Sequence, residues 1–178
     1  MPRNIEVKAR IDSVAALLPR AQAVARGEPQ TIHQDDTFFC VRHGRLKLRE
    51  FADGSAELIH YQRPDSGDAK ASDYVRVAVP DASALREALM RGCGLLGRVR
   101  KERVLLLVND GGFHTRVHID RVEGLGDFME LEVVLQDGQA DADGARVADR
   151  LMAALALHDA PRLAGSYLDL QTRRSGLA

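Results

Sequence analysis

Apolar and charged residues alternate with a period of two through six short stretches of this chain. They are Ile5-Glu6-Val7-Lys8-Ala9-Arg10, Leu46-Lys47-Leu48-Arg49, Leu58-Ile59-His60-Tyr61-Gln62-Arg63, Val99-Arg100-Lys101-Glu102-Arg103, Arg116-Val117-His118-Ile119-Asp120 and Glu130-Leu131-Glu132-Val133. Successive side chains of a strand point to opposite faces, so each stretch predicts a strand with one aliphatic and one charged face. Between the first strand and the next, Ser13 to Arg26 has helical spacing at Val14, Leu17, Leu18, Ala21 and Val24. Asp12 or Ser13 is its N-cap, Gly27 its stop, and Pro19 a place where it splits or kinks.

Further strands are predicted from Gln34 to Phe39, Leu46 to Phe51 and Ala56 to Arg63, separated by the turns His43-Gly44 and Asp53-Gly54. Pro64 to Ser72 is polar and rich in Gly and Asp, which predicts a mobile loop. A strand from Tyr74 to Val79 and a short amphipathic helix from Ser83 to Arg91 follow. Three long strands run from Arg98 to Val108, His114 to Val122 and Phe128 to Leu135. Asp137 to Gly144 reads as a linker, Ala145 to Leu157 as a helix, and Ser166 to Leu170 as one further turn or helix.

About eight strands joined mostly by short turns predict an antiparallel sheet that closes on itself. The fold class expected is α+β, mainly β: a closed eight-stranded antiparallel β-barrel with helices packed outside. A small barrel normally fills its interior with aliphatic side chains. Here the charged faces are too many and too mixed in sign for plain solvent exposure, so they are expected to line a wide polar tunnel. One domain over residues 1–172, with 173–178 as a C-terminal tail, accounts for the length.

The 25 basic and 26 acidic residues leave a net charge of −1, which argues against a nucleic-acid or membrane-surface binder. Aromatics at 4% without Trp offer no stacking platform for single-stranded nucleic acid. No signal-like or membrane-spanning segment is visible, so a cytoplasmic location is expected. Cys40 and Cys93 lack metal-ligand spacing and read as buried thiols. Walker A, nucleophile-elbow and zinc-type patterns are missing, and Gly124-Leu125-Gly126 reads as a turn between strands.

Glu6, Asp120, Glu130 and Glu132 are candidate metal ligands, because Mg²⁺ and Mn²⁺ prefer carboxylate oxygens alongside substrate phosphate. Glu130 and Glu132 lie two apart on one strand and so share a face; a solvated glutamate pair is the competing reading. The basic set is Lys8, Lys47, Arg49, Arg63, Lys101 and Arg103, with Arg76, Arg116 and His118 beside it. Arg forks match phosphate oxygens and Lys supplies point charge. Each of these alone reads as a surface ion pair, but the repetition over four or more strands favours an anion-binding tunnel. His60 and His118 otherwise read as ordinary strand residues.

Asn4-Ile5-Glu6-Val7-Lys8 resembles the N-terminal E-x-E-x-K signature of CYTH domains, the triphosphate tunnel metalloenzymes. The resemblance continues in order through Asp36-Thr37-Phe38-Phe39, Leu46-Lys47-Leu48-Arg49, Lys101-Glu102-Arg103, the stretch from Val117 to Glu132, and Ser166-Tyr167. It covers residues 4 to about 170, and the segment from Asp120 to Glu130 is most similar to the branch containing class IV adenylyl cyclases. What it implies is a tunnel binding ATP or another triphosphate with Mg²⁺ or Mn²⁺. Glu6, Asp120, Glu130 and Glu132 would hold metal. Lys8, Lys47, Arg49, Arg63, Lys101, Arg103 and Arg116 would hold substrate, with Lys8, Arg49, Lys101 and Arg103 stabilising charge in catalysis. A homodimer through an outer face is compatible with this size.

Two departures stand out. The first Glu of the signature is Asn4, and the fourth strand lacks the Lys found in hydrolases that resemble this family. The leading expectation is therefore conversion of ATP to 3′,5′-cyclic AMP and pyrophosphate. The alternatives are a hydrolase of tripolyphosphate, thiamine triphosphate or a nucleotide, and a triphosphate sensor without turnover. On charge crowding alone, Glu130→Gln is expected to leave the fold intact or stabilise it.

Overall fold

The computed structural model describes residues 3–62, 70–174 and 176. The chain runs β1 (Arg3–Arg10), α1 (Val14–Val24), β2 (Arg26–Phe39), β3 (Arg45–Phe51), β4 (Ala56–Gln62) and β5 (Lys70–Ala78). It continues α2 (Ala82–Cys93), β6 (Leu95–Asp110), β7 (Phe113–Val122), β8 (Gly126–Leu135), α3 (Asp141–Ala154) and α4 (Tyr167–Arg174). The strands close into an antiparallel barrel in the ring order β1-β5-β4-β3-β2-β6-β7-β8. Hairpins supply most of the pairings; the closing contact joins β1 to β8 in the register Glu6↔Glu132 and Lys8↔Glu130.

The aliphatic faces look outward onto helices. Ile5, Val7, Val104, Leu106, Val117, Ile119, Leu131 and Val133 form the main core with Leu17 and Ala21 of α1 and Val147, Ala148, Leu151 and Met152 of α3. A smaller core of Phe39, Leu48 and Ala56 lies under Ala82, Leu85 and Leu89 of α2. A third joins Phe38, Val99, Val122, Leu125 and Phe128 to Tyr167 and Leu168 of α4, which therefore lies across one end of the barrel. With the aliphatic positions spent on the helices, the period of two leaves the charged positions facing inward.

Gly144 shows how closely α3 is seated. A Cβ on it would fall 2.8 Å from both Ile5 Cγ1 and Leu135 Cδ2, so only glycine lets the helix approach β1 and β8 this closely.

Several boundaries differ from the sequence reading. The first helix runs through Pro19 and stops at Val24, capped by Ser13, whose side chain accepts from the Ala16 amide. Gly27, at φ +76°, does not stop it but sits in the opening of β2, where the pairing with β6 slips between Arg26 and Gln30. β2 therefore begins eight residues earlier than the apolar alternation shows, because backbone pairing with β6 carries that segment. β5 includes Lys70 to Ser72, which the sequence reading gives as loop; residues 64–69 of that expectation, and Arg63 at the end of the expected fourth strand, lie outside the described residues. Asp141 to Gly144, read as linker, form the first turn of α3, where Asp141 and Asp143 suit the positive end of the helix dipole. Both cysteines are exposed, not buried, because they sit where β2 ends and α2 hands over to β6.

Candidate functional site

The inward positions enclose a cavity of about 340 Å³. Two-residue steps along each strand deliver its walls: Asn4, Glu6 and Lys8 from β1; Gln34, Asp36 and Phe38 from β2; Lys47, Arg49 and Phe51 from β3; Lys101, Arg103 and Leu105 from β6. β7 adds Arg116 and His118, and β8 adds Glu130 and Glu132. The ring order sets β1, β8 and β7 against β2, β3 and β4, so an acidic wall faces a basic one.

On the basic side, Asp36 organises β3. Its carboxylate accepts from Lys47 Nζ at 2.8 Å and from Arg49 Nε and Nη2 at 2.7 Å each. Burial would raise the Asp36 pKa, but Arg49 and Lys47 hold it well below the carboxylate range. Burial pushes Lys47 down to about 8, with Arg49 repelling it further. Lys101, enclosed and beside Arg103, is pushed down to about 7, with Asp120 offsetting only part of the cost. Such lysines are charged reluctantly even with Asp36 and Asp120 beside them, and an incoming polyanion adds the negative charge that favours their protonated form.

Arg103 sits in a carboxylate cage. It donates to both oxygens of Asp120 at 2.6 Å and to Glu130 at 2.7 Å, and its pKa is raised well above normal despite burial. Asp120 is fully enclosed and also accepts from the Tyr167 hydroxyl at 2.8 Å. Its pKa is about 2, because Arg103 and Lys101 outweigh the burial that would raise it. The structure thus places Asp120 on the inward face at the α4 end, where it orients Arg103 and holds Tyr167; a single Arg103 nitrogen bridges it to Glu130. Lys8 Nζ lies 3.2 Å from Glu130, donates to the Gly165 carbonyl at 3.3 Å, and stands 4.2 Å over the Tyr167 ring.

The acidic wall brings together His118, Glu130 and Glu132, which can each offer one ligand atom within 4.8 Å of the others. His118 Nδ1 lies 3.8 Å from both carboxylates, is buried, and makes no hydrogen bond. Burial and the charge of Arg103 lower its pKa, so the ring stays neutral with a lone pair to give. Glu130, which burial would protonate, is held well below normal by Lys8 and Arg103. Glu132 is lowered too, and Arg116 donates to it at 3.1 Å. One neutral imidazole and two carboxylates on one wall fit a divalent cation of the Mn²⁺ or Mg²⁺ class. Glu6 lines the same cavity as the register partner of Glu132. Asn4 is buried at the wall with its Oδ1 unpaired.

Of the residues singled out in the sequence, Glu6, Lys8, Lys47, Arg49, Lys101, Arg103, Arg116, Glu130 and Glu132 meet in this cavity. Arg76 reaches its wall but is half exposed and 3.6 Å from Glu57. Arg63 lies outside the described residues. His118 is not an ordinary strand residue, since it is buried among the acids. The same-face spacing of His118 with Arg116 and Asp120 was the signal available for it. Asp36 and Tyr167 lay in segments noted only for family likeness, and no local pattern marks what they touch. Glu130→Gln, expected from charge crowding to be harmless, would instead strip partners from the buried Lys8 and Arg103.

The sequence profile of the CYTH domain matches residues 2–167. Among curated proteins, none matches the chain. Solved structures share the fold. The PH1012 protein of Pyrococcus horikoshii is 21% identical, with a TM-score of 0.82, over 94% of this chain and 98% of its own. A candidate adenylate cyclase from Vibrio parahaemolyticus is 20% identical, with a TM-score of 0.74, over 95% and 97%. A candidate adenylyl cyclase from Hippeastrum, described as having a dominant triphosphatase activity, is 17% identical, with a TM-score of 0.64, over 97% and 96%.

Proposed function

The chain belongs to the CYTH domain family, and from that premise we propose that it is a divalent-metal-dependent enzyme of triphosphates that converts ATP to 3′,5′-cyclic AMP and pyrophosphate. One observation carries the reading: a set of buried cations, two of them lysines with lowered pKa, faces the His118–Glu130–Glu132 group across one enclosed cavity. Glu130, Glu132 and His118, with Glu6 beside them, would hold the cation. That cation would supply Lewis-acid polarisation of phosphoryl oxygens and charge neutralisation.

The chain's own residues do the rest. Arg49 and Arg103 are held rigid through their Nε–Nη2 edges by Asp36 and Asp120, which leaves the Nη1 group of each to donate to phosphoryl oxygens. Lys47, Lys101 and Lys8 add point charge towards the end that α4 closes. The ribose 3′-oxygen bonds to the α-phosphorus as the α–β bridging bond breaks; pyrophosphate leaves with the electron pair, and the 3′-hydroxyl proton passes to solvent or to the departing pyrophosphate. Charge then grows on the leaving oxygens, where preorganised buried cations act most strongly.

A second reading is favoured by one specific relative, the Hippeastrum protein with dominant triphosphatase activity. In that reading water attacks the γ-phosphorus on the same rails, and orthophosphate is released. Incubating the protein with ATP and Mg²⁺ or Mn²⁺ and separating the products decides between them. Cyclic AMP with pyrophosphate supports the cyclase; ADP with orthophosphate supports the hydrolase. ATP that stays bound and unchanged refutes both and leaves a sensor.

A further inference from the structure

Three apolar side chains of the cavity wall take no part in the phosphate chemistry: Ile32 on β2, Phe51 on β3 and Leu105 on β6. They belong together. β2 lies between β3 and β6 in the ring, Gln34 pairs with both Phe51 and Lys101, and Ile32 pairs with Arg103. Ile32 is therefore the diagonal neighbour of both Phe51 and Leu105 on the same face.

Their position along the tunnel follows from α4. Phe38 of β2 and Val99 of β6 pack on Tyr167 of α4, and Arg45 of β3 ion-pairs with Asp169 of α4 at 2.5 Å. Ile32, Leu105 and Phe51 each lie six residues along the same three strands from those contacts, roughly 20 Å at the rise of a strand. The apolar shelf therefore stands at the end remote from α4. The cations Arg103 and Arg49 come one same-face step deeper, roughly 7 Å, and Lys101 and Lys47 two steps deeper.

Beside the shelf lies Gln34, only 7% exposed, lining the cavity, with its side-chain carbonyl oxygen accepting no hydrogen bond. A buried orphan acceptor in a ligand cavity calls for a donor from the ligand. Inorganic tripolyphosphate offers neither an apolar face nor an N–H group at that end.

We infer that Ile32, Phe51, Leu105 and Gln34 form the nucleobase subsite of this tunnel, for a nucleoside triphosphate whose flat base carries an N–H donor on its edge. This rests on the proposed function and adds its specificity. The base lies against Phe51 and the two aliphatics and donates to Gln34, the sugar spans the step to Arg103 and Arg49, and the phosphates run inward toward α4.

The test compares two ligands on three proteins. ATP and inorganic tripolyphosphate are titrated calorimetrically without divalent cation, so that neither turns over, into the native protein, Phe51→Ala and Gln34→Leu. Loss of the aromatic face is expected to weaken ATP about tenfold or more. Gln34→Leu, close in volume, is expected to weaken ATP about fivefold through loss of one hydrogen bond. Tripolyphosphate affinity should stay within about twofold in both; that difference between ligands is a readout that general misfolding cannot produce. Equal losses for both ligands, or no loss of ATP affinity in either variant, would overturn the subsite while leaving the triphosphate tunnel standing. Failure of the native protein to bind tripolyphosphate at all would overturn the proposed function, and the subsite with it.

Discussion

Raising the pH should loosen the grip of this tunnel on its ligand, through Lys101. In the free protein burial and Arg103 push its pKa down to about 7. A bound polyphosphate favours the charged form, so binding takes up a proton at any pH above that value. With ATP as the ligand, the terminal phosphate ionises at about 6 to 7, below the window from about pH 7.5 to 8.5, so the ligand charge is nearly constant there. Over that unit the protonated fraction of Lys101 falls from about 24% to about 3%, an eightfold loss of association constant, or about 1.2 kcal/mol. Lys47, at about 8, adds about a further threefold over the same window, for about 25-fold together.

Calorimetric titration of ATP without divalent cation, in buffers of different ionisation enthalpy, measures both the affinity and the proton uptake. Lys101→Arg keeps its charge and should retain only the roughly threefold dependence due to Lys47. A native affinity that moves less than threefold, or a Lys101→Arg slope equal to the native one, would refute this reasoning. The linked effect on stability has the opposite sense: with its folded pKa below its unfolded one, Lys101 destabilises the fold fully below about pH 7. That cost is relieved as pH rises toward 10.5.

Asp120→Asn should lower the melting temperature and weaken triphosphate binding, because it leaves the Arg103 cage short of a charge at a cost of about 3 kcal/mol. Mn²⁺ affinity, followed by electron paramagnetic resonance, should change little, and a loss as large as that in Glu132→Gln would place Asp120 among the metal ligands. His118→Ala and Glu132→Gln should each reduce Mn²⁺ affinity at least tenfold in the same measurement, since each removes one of three convergent donors; undiminished affinity in both would place the cation elsewhere. Glu130→Gln should be destabilised by about 3 kcal/mol in urea unfolding, because Lys8 and Arg103 lose a buried partner. A neutral result there would restore the charge-crowding view. Gly144→Ala should cost about 1–3 kcal/mol despite the better helix propensity of Ala, since its Cβ meets Ile5 and Leu135 at 2.8 Å; a stabilised variant would show that α3 can shift.

Much of the site was legible because a strand repeats every two residues and a barrel has only two faces. Once Ile5, Val7, Leu131 and Val133 are claimed by the outer core, Glu6, Lys8, Glu130 and Glu132 have nowhere to point but inward. The alternation alone therefore determined the strands, the closure of the sheet and the charged lining. It did not determine which charges face each other, because that depends on pairing between segments far apart in the chain. Asp120 and Glu130 look alike in sequence. Only the register with Arg103 and the crossing of α4 bury one against Tyr167 at the closed end and leave the other beside His118. The lowered pKa values of Lys47 and Lys101 come the same way, from burial and like charges on neighbouring strands. Side-chain direction is a local property of the backbone, and the sequence determined it. Charge environment is a sum over neighbours brought together by folding, and only the tertiary structure decided it.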